Sequence, residues 1–207
     1  MTTILTFFTA NVPASVFNQL MHETLQVENS FPFLTILRTP DQQEIDKWGT
    51  EAPIENFETG FLGKSEDELR RFYRQWLAET PGSSQGDVNE NMMAVLDERS
   101  AIDSTMILYW GMKKRHWDDY CEFQPDKPIT GNGRLCEDGY IWWKWRVPFK
   151  HAFELFLTAE HCDTEVVELF CRPEYQGPDE VIDYETCNKI LNLEIPDPLG
   201  IVGGVNE

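Results

Sequence analysis

The sequence predicts a single α+β domain with a mixed or mostly antiparallel sheet of about five to seven strands and three or four packing helices. Strand-like apolar or alternating segments recur along the 207 residues, and segments with helical apolar spacing lie between them. With 41% hydrophobic residues, the chain can bury about 70% of the surface that it exposes when unfolded. We therefore expect residues 1–193 to form one domain, followed by an irregular tail at 194–207.

Residues 140–161 give the clearest signal, which is a strand followed directly by a helix. Successive side chains of a strand point to opposite faces, so two tryptophans fall on one face and Trp142, Lys144 and Arg146 fall on the other. After Pro148, which suits the first turn of a helix, apolar residues follow helical spacing. The face with the two tryptophans is expected to lie in the core.

Residues 65–79 are predicted to form a helix. Ser65 and Glu68 have the spacing of a capping box, and the apolar residues that follow recur with the helical period. The opposite face carries three arginines, Arg70, Arg71 and Arg74. These arginines either pair with the acidic residues of the first turn or bind an acidic ligand.

The remaining elements are shorter. Further strands are predicted at residues 4–9, 33–38, 92–96, 105–110 and 164–171. Further helices are predicted at residues 13–26, 41–48, with Ile45 and Trp48 facing inward, and 179–191. We expect a loop, or a short strand around Ile54 and Phe57, at residues 51–63 and a loop at residues 81–91. A long excursion on one side of the sheet is expected at residues 111–139.

The chain is strongly acidic, with 36 acidic and 17 basic residues and a formal charge of −19. Because phosphate neutralisation supplies most non-specific affinity for nucleic acid, this charge argues against binding to DNA, RNA or an anionic membrane surface. A basic protein partner remains compatible with the charge. Acidity of this size is also a common means of keeping a protein in solution.

The cysteines and the N-terminus predict a cytoplasmic protein. The five cysteines form no Cys-x-x-Cys pair and have irregular spacings, which predicts reduced thiols instead of a zinc site or a disulfide framework. The apolar N-terminus lacks the positive charge that precedes the apolar region of a signal peptide. No apolar run approaches the roughly 20 residues of a membrane span.

Two groups of residues have side chains that are suited to catalysis. The first lies in the turn after residues 92–96 and contains Asp97, Glu98, Arg99, Ser100 and Asp103, which either orient a substrate or satisfy the turn itself. The second lies at residues 116–121, where His116 and Asp118 are candidates for acid-base chemistry. The chain contains none of the dinucleotide, P-loop, serine-hydrolase or zinc-protease motifs, so we predict no cofactor and no metal site.

The binding candidates are Trp142, Lys144 and Arg146, together with Arg38 and Arg99. The first three form a basic-aromatic strip on one face of the strand at residue 140, where an indole can stack on a ligand or pack into the core. Arg38 and Arg99 stand at or near strand ends, where functional side chains are often found.

Several short segments resemble those of an uncharacterised family of microbial domains. They are the Arg-Thr strand end of residues 33–39, Trp48 shortly after it, the Asp-Glu-Arg-Ser turn within residues 94–105, and the Arg-Val-Pro-Phe segment that starts at Arg146. The resemblance covers roughly residues 33–150. It implies a compact mixed fold and carries no activity, catalytic residue or cofactor with it.

Three hypotheses of function follow. The first is a non-catalytic binding domain for a protein or a small-molecule ligand, with the strip of Trp142, Lys144 and Arg146 as its interface. The alternative is a cofactor-independent enzyme with an aromatic pocket, an isomerase, cyclase or hydrolase, that uses His116 with Asp118 or Asp97. The third is an acidic inhibitor or immunity-type protein that occupies the basic site of a partner.

Overall fold

A computed structural model of the chain describes residues 2–80, 87–121, 127–161, 164–177 and 179–200. Its strands are β1 (Thr3–Phe8), β2 (Leu34–Ile36), β3 (Val88–Leu96), β4 (Thr105–Lys113), β5 (Arg134–Leu135) and β6 (Tyr140–Pro148). Its α-helices are α1 (Ala14–Thr24), α2 (Glu66–Glu79), α3 (Ser100–Asp103), α4 (Lys114–Tyr120), α5 (Phe149–Glu160), α6 (Thr164–Phe170) and α7 (Tyr184–Leu191), with a 3₁₀ helix at Pro173–Tyr175. Within the described ranges, no helix is long and apolar enough to cross a membrane.

The six strands form one mixed sheet in the order β2-β1-β3-β4-β6-β5. β1 pairs in parallel with β2 and β3, whereas β3 with β4, β4 with β6, and β5 with β6 are antiparallel. The hairpin of β3 and β4 therefore joins a parallel half to an antiparallel half. This arrangement confirms the predicted α+β class with a mixed sheet.

Helices cover both faces of the sheet. On the first face, α1 and α5 pack against the apolar side chains of β1, β4 and β6, and α4, α6 and α7 extend the same core. On the second face, α2 packs against β1, β3 and β4 through Leu69, Tyr73 and Trp76. Because both faces are covered, the strands carry apolar side chains on both sides, which is the composition predicted for β1 and β2.

The alternation predicted for β6 is confirmed. Trp143 and Trp145 belong to the core of the first face, and Tyr140 and Trp142 belong to the core of the second. The predicted continuation into a helix is also confirmed, since α5 begins immediately after Pro148.

The capping box of α2 is present as predicted. The backbone N–H of Glu68 donates to the Ser65 hydroxyl oxygen at 3.4 Å, and the backbone N–H of Ser65 donates to the Glu68 carboxylate at 3.0 Å. Arg70 forms ion pairs with Asp67 and with Glu66, the latter at 3.6 Å, which confirms local pairing for that arginine.

Trp142 lies beneath α2 and is not open to solvent. Its side chain is 2% exposed, its ring meets that of Tyr73 edge-to-face at 5.9 Å, and its indole N–H donates to Asp138 at 3.2 Å. Gly111 lies opposite on β4, where an added Cβ would approach the indole to 3.0 Å. The sequence placed Trp142 on the correct face, but the expected open strip is covered because α2 packs over that part of the face.

The prediction of a strand at residues 164–171 is wrong, because that segment forms helix α6. Val167 and Phe170 are both buried at a spacing of three residues, which fits one side of a helix. In a segment of only seven residues, the run Val-Val-Glu-Leu-Phe at residues 166–170 also matches a strand, and the β-branched residues favoured the wrong choice.

The prediction of a helix at residues 41–48 is also wrong. The Thr35 hydroxyl donates to the backbone carbonyl of Asp46 at 3.1 Å, so the chain is held beside β2 in an irregular conformation. Trp48 was expected to face inward and is 71% exposed.

Several boundaries differ from the predicted ones. The last helix begins at Tyr184 instead of residue 179, because Asp183 is its N-cap and accepts a hydrogen bond from the Thr186 N–H. The excursion begins later than expected, because β4 continues to Lys113. Of the loop predicted at 81–91, residues 81–86 lie outside the described residues, and β3 already begins at Val88. Residues 201–207 of the tail also lie outside the described residues, and residues 194–200 have no helix or strand.

Trp142 and Trp48 provide a matched test of the two-sided core. Replacing Trp142 by alanine should lower the free energy of unfolding by about 3–5 kcal/mol, because it leaves a cavity beneath α2. Replacing Trp48 by alanine should change that free energy by no more than about 0.5 kcal/mol. Urea denaturation of both variants measures the difference, and similar losses in the two would contradict the burial of Trp142.

Candidate functional site

Beyond the N-terminus of α2, the second face of the sheet is open and forms a cleft of about 440 Å³. We call it the basic cleft. Its lining residues come from five parts of the chain and are Arg99, Ile107, Asn132, Lys144, Arg146, Cys171, Pro173, Gln176 and Glu180. The volume is within the usual range of small-molecule sites.

The floor of the basic cleft is formed by β4 and β6. Ile107 and Arg146 are directly opposite each other across the two strands, so their side chains share one face. Lys144 lies two residues earlier on β6 and therefore on the same face. The strand period thus brings the two cations of the predicted strip into the cleft.

The outer wall follows the edge of β6 that β4 does not use. The Asn132 side-chain amide donates to the Lys144 carbonyl at 2.7 Å, and further along the edge the Ile182 N–H donates to the Arg146 carbonyl at 2.8 Å. The segment that contains the 3₁₀ helix and Gln176 closes this side. None of these wall residues was singled out from the sequence.

Arg146 is held in place by the end of β3. Its two terminal nitrogens contact the two carboxylate oxygens of Asp97, one of them at 3.1 Å, and one of these nitrogens also donates to the Thr105 hydroxyl at 2.9 Å. Asp97 in turn accepts hydrogen bonds from the Ser100 N–H and hydroxyl, both at 3.2 Å. The Arg146 side chain is 9% exposed, so its charge is compensated inside the protein.

The turn between β3 and β4 is largely satisfied by its own contacts. The Arg99 guanidinium donates to the Asp103 carboxylate at 2.8 and 3.1 Å and to the Asp179 carbonyl at 2.9 Å. Asp103 also accepts from the Thr105 hydroxyl at 2.6 Å. The sequence allowed two interpretations of these residues, that they orient a substrate or that they stabilise the turn itself. The contacts observed are those of the second interpretation.

Lys144 and Arg99 project further into solvent than Arg146. The Lys144 ammonium donates to Glu66 at 2.5 Å, and both side chains of that pair are 41% exposed. The Arg99 side chain is 37% exposed. The accessible cations of the cleft are therefore these two, and the exposed acid Glu180 also lines it.

Two smaller cavities continue the basic cleft along α2. The nearer one, of about 190 Å³, shares Asn132 and Lys144 with the cleft, and the farther one, of about 230 Å³, shares Arg70 and Arg134 with the nearer one. Among the described residues, the three cavities are lined by six of the 17 basic residues and five of the 36 acidic residues. Basic residues therefore slightly outnumber acidic ones in this groove, although the chain as a whole is strongly acidic.

Cys171 lines the cleft as a protonated thiol. Burial raises its pKa, and the hydrogen bond from the backbone N–H of Asn132 offsets only part of that effect. A thiol with a raised pKa is a poor nucleophile, so the cleft offers a small apolar sulfur at this position.

The predicted catalytic residues do not come together. Asp97 contacts Arg146 near the start of β4, whereas His116 and Asp118 lie on α4, which follows the other end of that strand. The nine residues of β4 span about 26 Å, which is too far for a shared substrate atom. His116 and Asp118 are exposed, and Asp118 contacts Lys114.

Arg38 lies outside the basic cleft. Its backbone N–H donates to the Gln42 side chain at 2.9 Å, and its guanidinium lies over the Phe57 ring at 5.1 Å. Within the described ranges, no three His, Cys, Asp or Glu side chains are arranged to hold a metal ion.

Comparison of the chain with protein-family models, curated proteins and solved structures finds no match. The resemblance to an uncharacterised family of microbial domains therefore stays a prediction, and the site is interpreted from its own geometry.

The pairing of Asp97 with Arg146 predicts a pH-dependent stability. Burial would raise the pKa of Asp97, but the hydrogen bonds and charge of Arg146, with the hydrogen bonds from Ser100, lower it below its usual value. The stabilisation is therefore complete above the pKa of Asp in the unfolded chain, and it is lost as the pH falls through the lower pKa of the folded state.

Replacing Asp97 by asparagine should lower the free energy of unfolding at pH 7 by about 2–4 kcal/mol, because Arg146 loses its carboxylate. The difference from the wild type should begin to shrink near pH 4, where Asp97 of the unfolded chain takes up a proton, and should shrink further as the pH falls through the lower pKa of the folded state. Urea titrations at stepwise pH measure it, with Asp118→Asn as the exposed control. A pH-independent difference would contradict the assignment.

Proposed function

We propose that the protein is a non-catalytic binding protein whose basic cleft takes a small molecule that carries a carboxylate or phosphate group. The observation that carries this proposal is the convergence of Arg99, from the turn after β3, with Lys144 and Arg146, from β6, on one cleft of small-molecule size. Each of the three was predicted to bind a ligand from the sequence alone.

The three cations have different roles in this proposal. Arg146 is fixed by Asp97 and Thr105, and those contacts use three of its five N–H groups, so it offers a rigid donor at the base of the cleft. Arg99 and Lys144 supply accessible charge. Their ion pairs with Asp103 and Glu66 are solvent-exposed and contribute about 0–1 kcal/mol each, so a ligand anion can replace either carboxylate at small cost.

The charge of the whole chain restricts which anions can bind. A ligand that approaches a protein of charge −19 is repelled at long range, but at physiological ionic strength this repulsion is screened beyond about 8 Å. Inside the groove, where basic residues slightly outnumber acidic ones, the local charge determines whether an anion binds. A compact anion of one or two charges fits these conditions, whereas an extended polyanion such as nucleic acid does not.

We further place this function in the cytoplasm. Cys121, Cys136, Cys171 and Cys187 are free thiols, which supports a reducing compartment. Cys162 lies outside the described residues.

Titration calorimetry with inorganic phosphate, succinate and a nucleoside monophosphate, each paired with an uncharged analogue of similar size, tests the proposal. At least one anion should bind, and Lys144→Gln should weaken that binding about tenfold because a charge-assisted hydrogen bond is lost. Lys150→Gln is the matched control, since Lys150 forms a similar exposed pair with Glu185 on α7, outside the cleft.

Two results would contradict the proposal. Equal weakening in the Lys144 and Lys150 variants would mean that the anion responds only to overall charge. Equal binding of an anion and its uncharged analogue would mean that the cations of the cleft do not recognise the ligand.

A further inference from the structure

A second cleft, of about 580 Å³, lies beside β2 at the opposite edge of the sheet. We call it the Trp48 cleft. Its lining residues all fall within one stretch of the chain and are Arg38, Asp46, Lys47, Trp48, Gly49, Thr50, Glu51, Pro53, Ile54, Glu55, Asn56 and Phe57. It shares no lining residue with the basic cleft.

One wall of the Trp48 cleft is fixed to β2. The Thr50 N–H donates to the Leu34 carbonyl at 2.7 Å, and its hydroxyl accepts from the Ile36 N–H at 3.0 Å and donates to Asp46 at 2.8 Å. Gly49 adopts a φ of +90°, and an added Cβ there would lie 2.1 Å from a backbone oxygen. The backbone conformation of the turn that carries Trp48 is therefore fixed by these hydrogen bonds and by the close packing at Gly49.

The other wall is fixed to α1. The Asn18 side chain exchanges two hydrogen bonds with the backbone of Ile54, at 2.8 and 3.2 Å. The Asn56 side chain accepts from the Ala14 N–H at 2.8 Å and so caps the first turn of α1. Because both walls are held by the body of the domain, a ligand would meet a cleft that is already formed.

Trp48 is the exception among the seven tryptophans. Its side chain is 71% exposed, whereas the other six are at most 7% exposed. The exposed indole stands on a fixed turn instead of a loose loop. Tryptophan is the residue type most enriched among the dominant contacts of protein interfaces, because it brings a large contact area with few rotatable bonds.

The surface around Trp48 is acidic. Residues 38–58 contain six acidic residues, all exposed, and two basic ones, Arg38 and Lys47. Within the same cleft, the Arg38 guanidinium already lies over the Phe57 ring at 5.1 Å, so the site accommodates a cation on an aromatic face.

We propose that the Trp48 cleft docks a basic segment of a partner protein. An arginine or lysine of that segment stacks on the Trp48 indole, and neighbouring basic residues face Glu51 and Glu55. The charge of −19 attracts such a segment, and the fixed indole sets its register on the surface. This interface is independent of the ligand proposed for the basic cleft.

A hexaarginine peptide is the direct probe, with hexaglutamate and cellohexaose as comparisons. Hexaarginine should bind and quench the fluorescence of Trp48, and Trp48→Ala should weaken binding, measured by calorimetry, roughly three- to tenfold. Because Trp48 is exposed, that variant should keep the wild-type melting temperature, which separates loss of the contact from loss of the fold.

Charge is tested separately from stacking. Replacing Glu51 and Glu55 together by glutamine should weaken binding of hexaarginine more than replacing Glu28 and Glu174, two exposed acids outside both clefts. The advantage of the first pair should decrease at high salt.

Each of four results would overturn the proposal. The first is that hexaarginine does not bind, and the second is that the Trp48→Ala variant binds hexaarginine as tightly as the wild type. The third is that the two double variants lose the same affinity for hexaarginine. The fourth is that cellohexaose binds in a Trp48-dependent way and hexaarginine does not. The last result would make the cleft a carbohydrate site.

Discussion

The arrangement of this domain depends on one constraint, which is that both faces of β6 must be covered. Its period of two sends Trp143 and Trp145 into the first core and Trp142 into the second. The first face is covered along its length by α4, α5, α6 and α7. The second face is covered only as far as α2 extends, and α2 begins at Glu66. The β6 side chains on the second face that lie beyond the start of α2 are not covered by this helix, so other contacts must stabilise them.

That uncovered end of the sheet accounts for the chemistry of the basic cleft. Lys144 lies beside the first turn of α2 and pairs with Glu66, and Arg146 lies beyond it and pairs with Asp97. An apolar residue at position 144 would be partly exposed to solvent, whereas Lys144 pairs there with Glu66 at the start of α2. Arg146 is buried, and its charge is compensated by Asp97 at the end of β3. The same geometry leaves a concave surface in which two of the cations remain accessible. The cleft is thus a consequence of where α2 begins.

Much of the fold could be predicted from the sequence because the long elements have unambiguous periods. The alternation in β6, the capping box at Ser65 and the hairpin of β3 and β4 are local signals, and the structure confirms each of them. Helix α6 was missed because seven residues match either period. Trp48 was misplaced because its direction is set by the hydrogen bonds of Thr50 with β2, which lies more than ten residues away in the sequence.

The candidate site was predictable only in part. Alternation places Lys144 and Arg146 on one face, but it does not tell which side chains on that face a helix covers, and so Trp142 was expected in the strip. Arg99 lines the same cleft as Lys144 and Arg146 for two reasons. The strand register sets Ile107 opposite Arg146, and the segment around Gln176 closes the outer wall of the cleft. Such contacts between distant segments leave no periodic trace in the sequence.

The two clefts lie near opposite edges of the sheet and differ in charge. Four interstrand spacings separate β2 from β6, which corresponds to about 19 Å. Because this distance is about twice the screening length at physiological ionic strength, the charge of a ligand in one cleft has little effect on the other. Any coupling between the clefts would have to pass through the sheet and the helices packed on it, and both clefts are attached to that rigid part of the fold. The small anion and the basic partner that we propose would therefore use separate surfaces of the same strongly acidic domain.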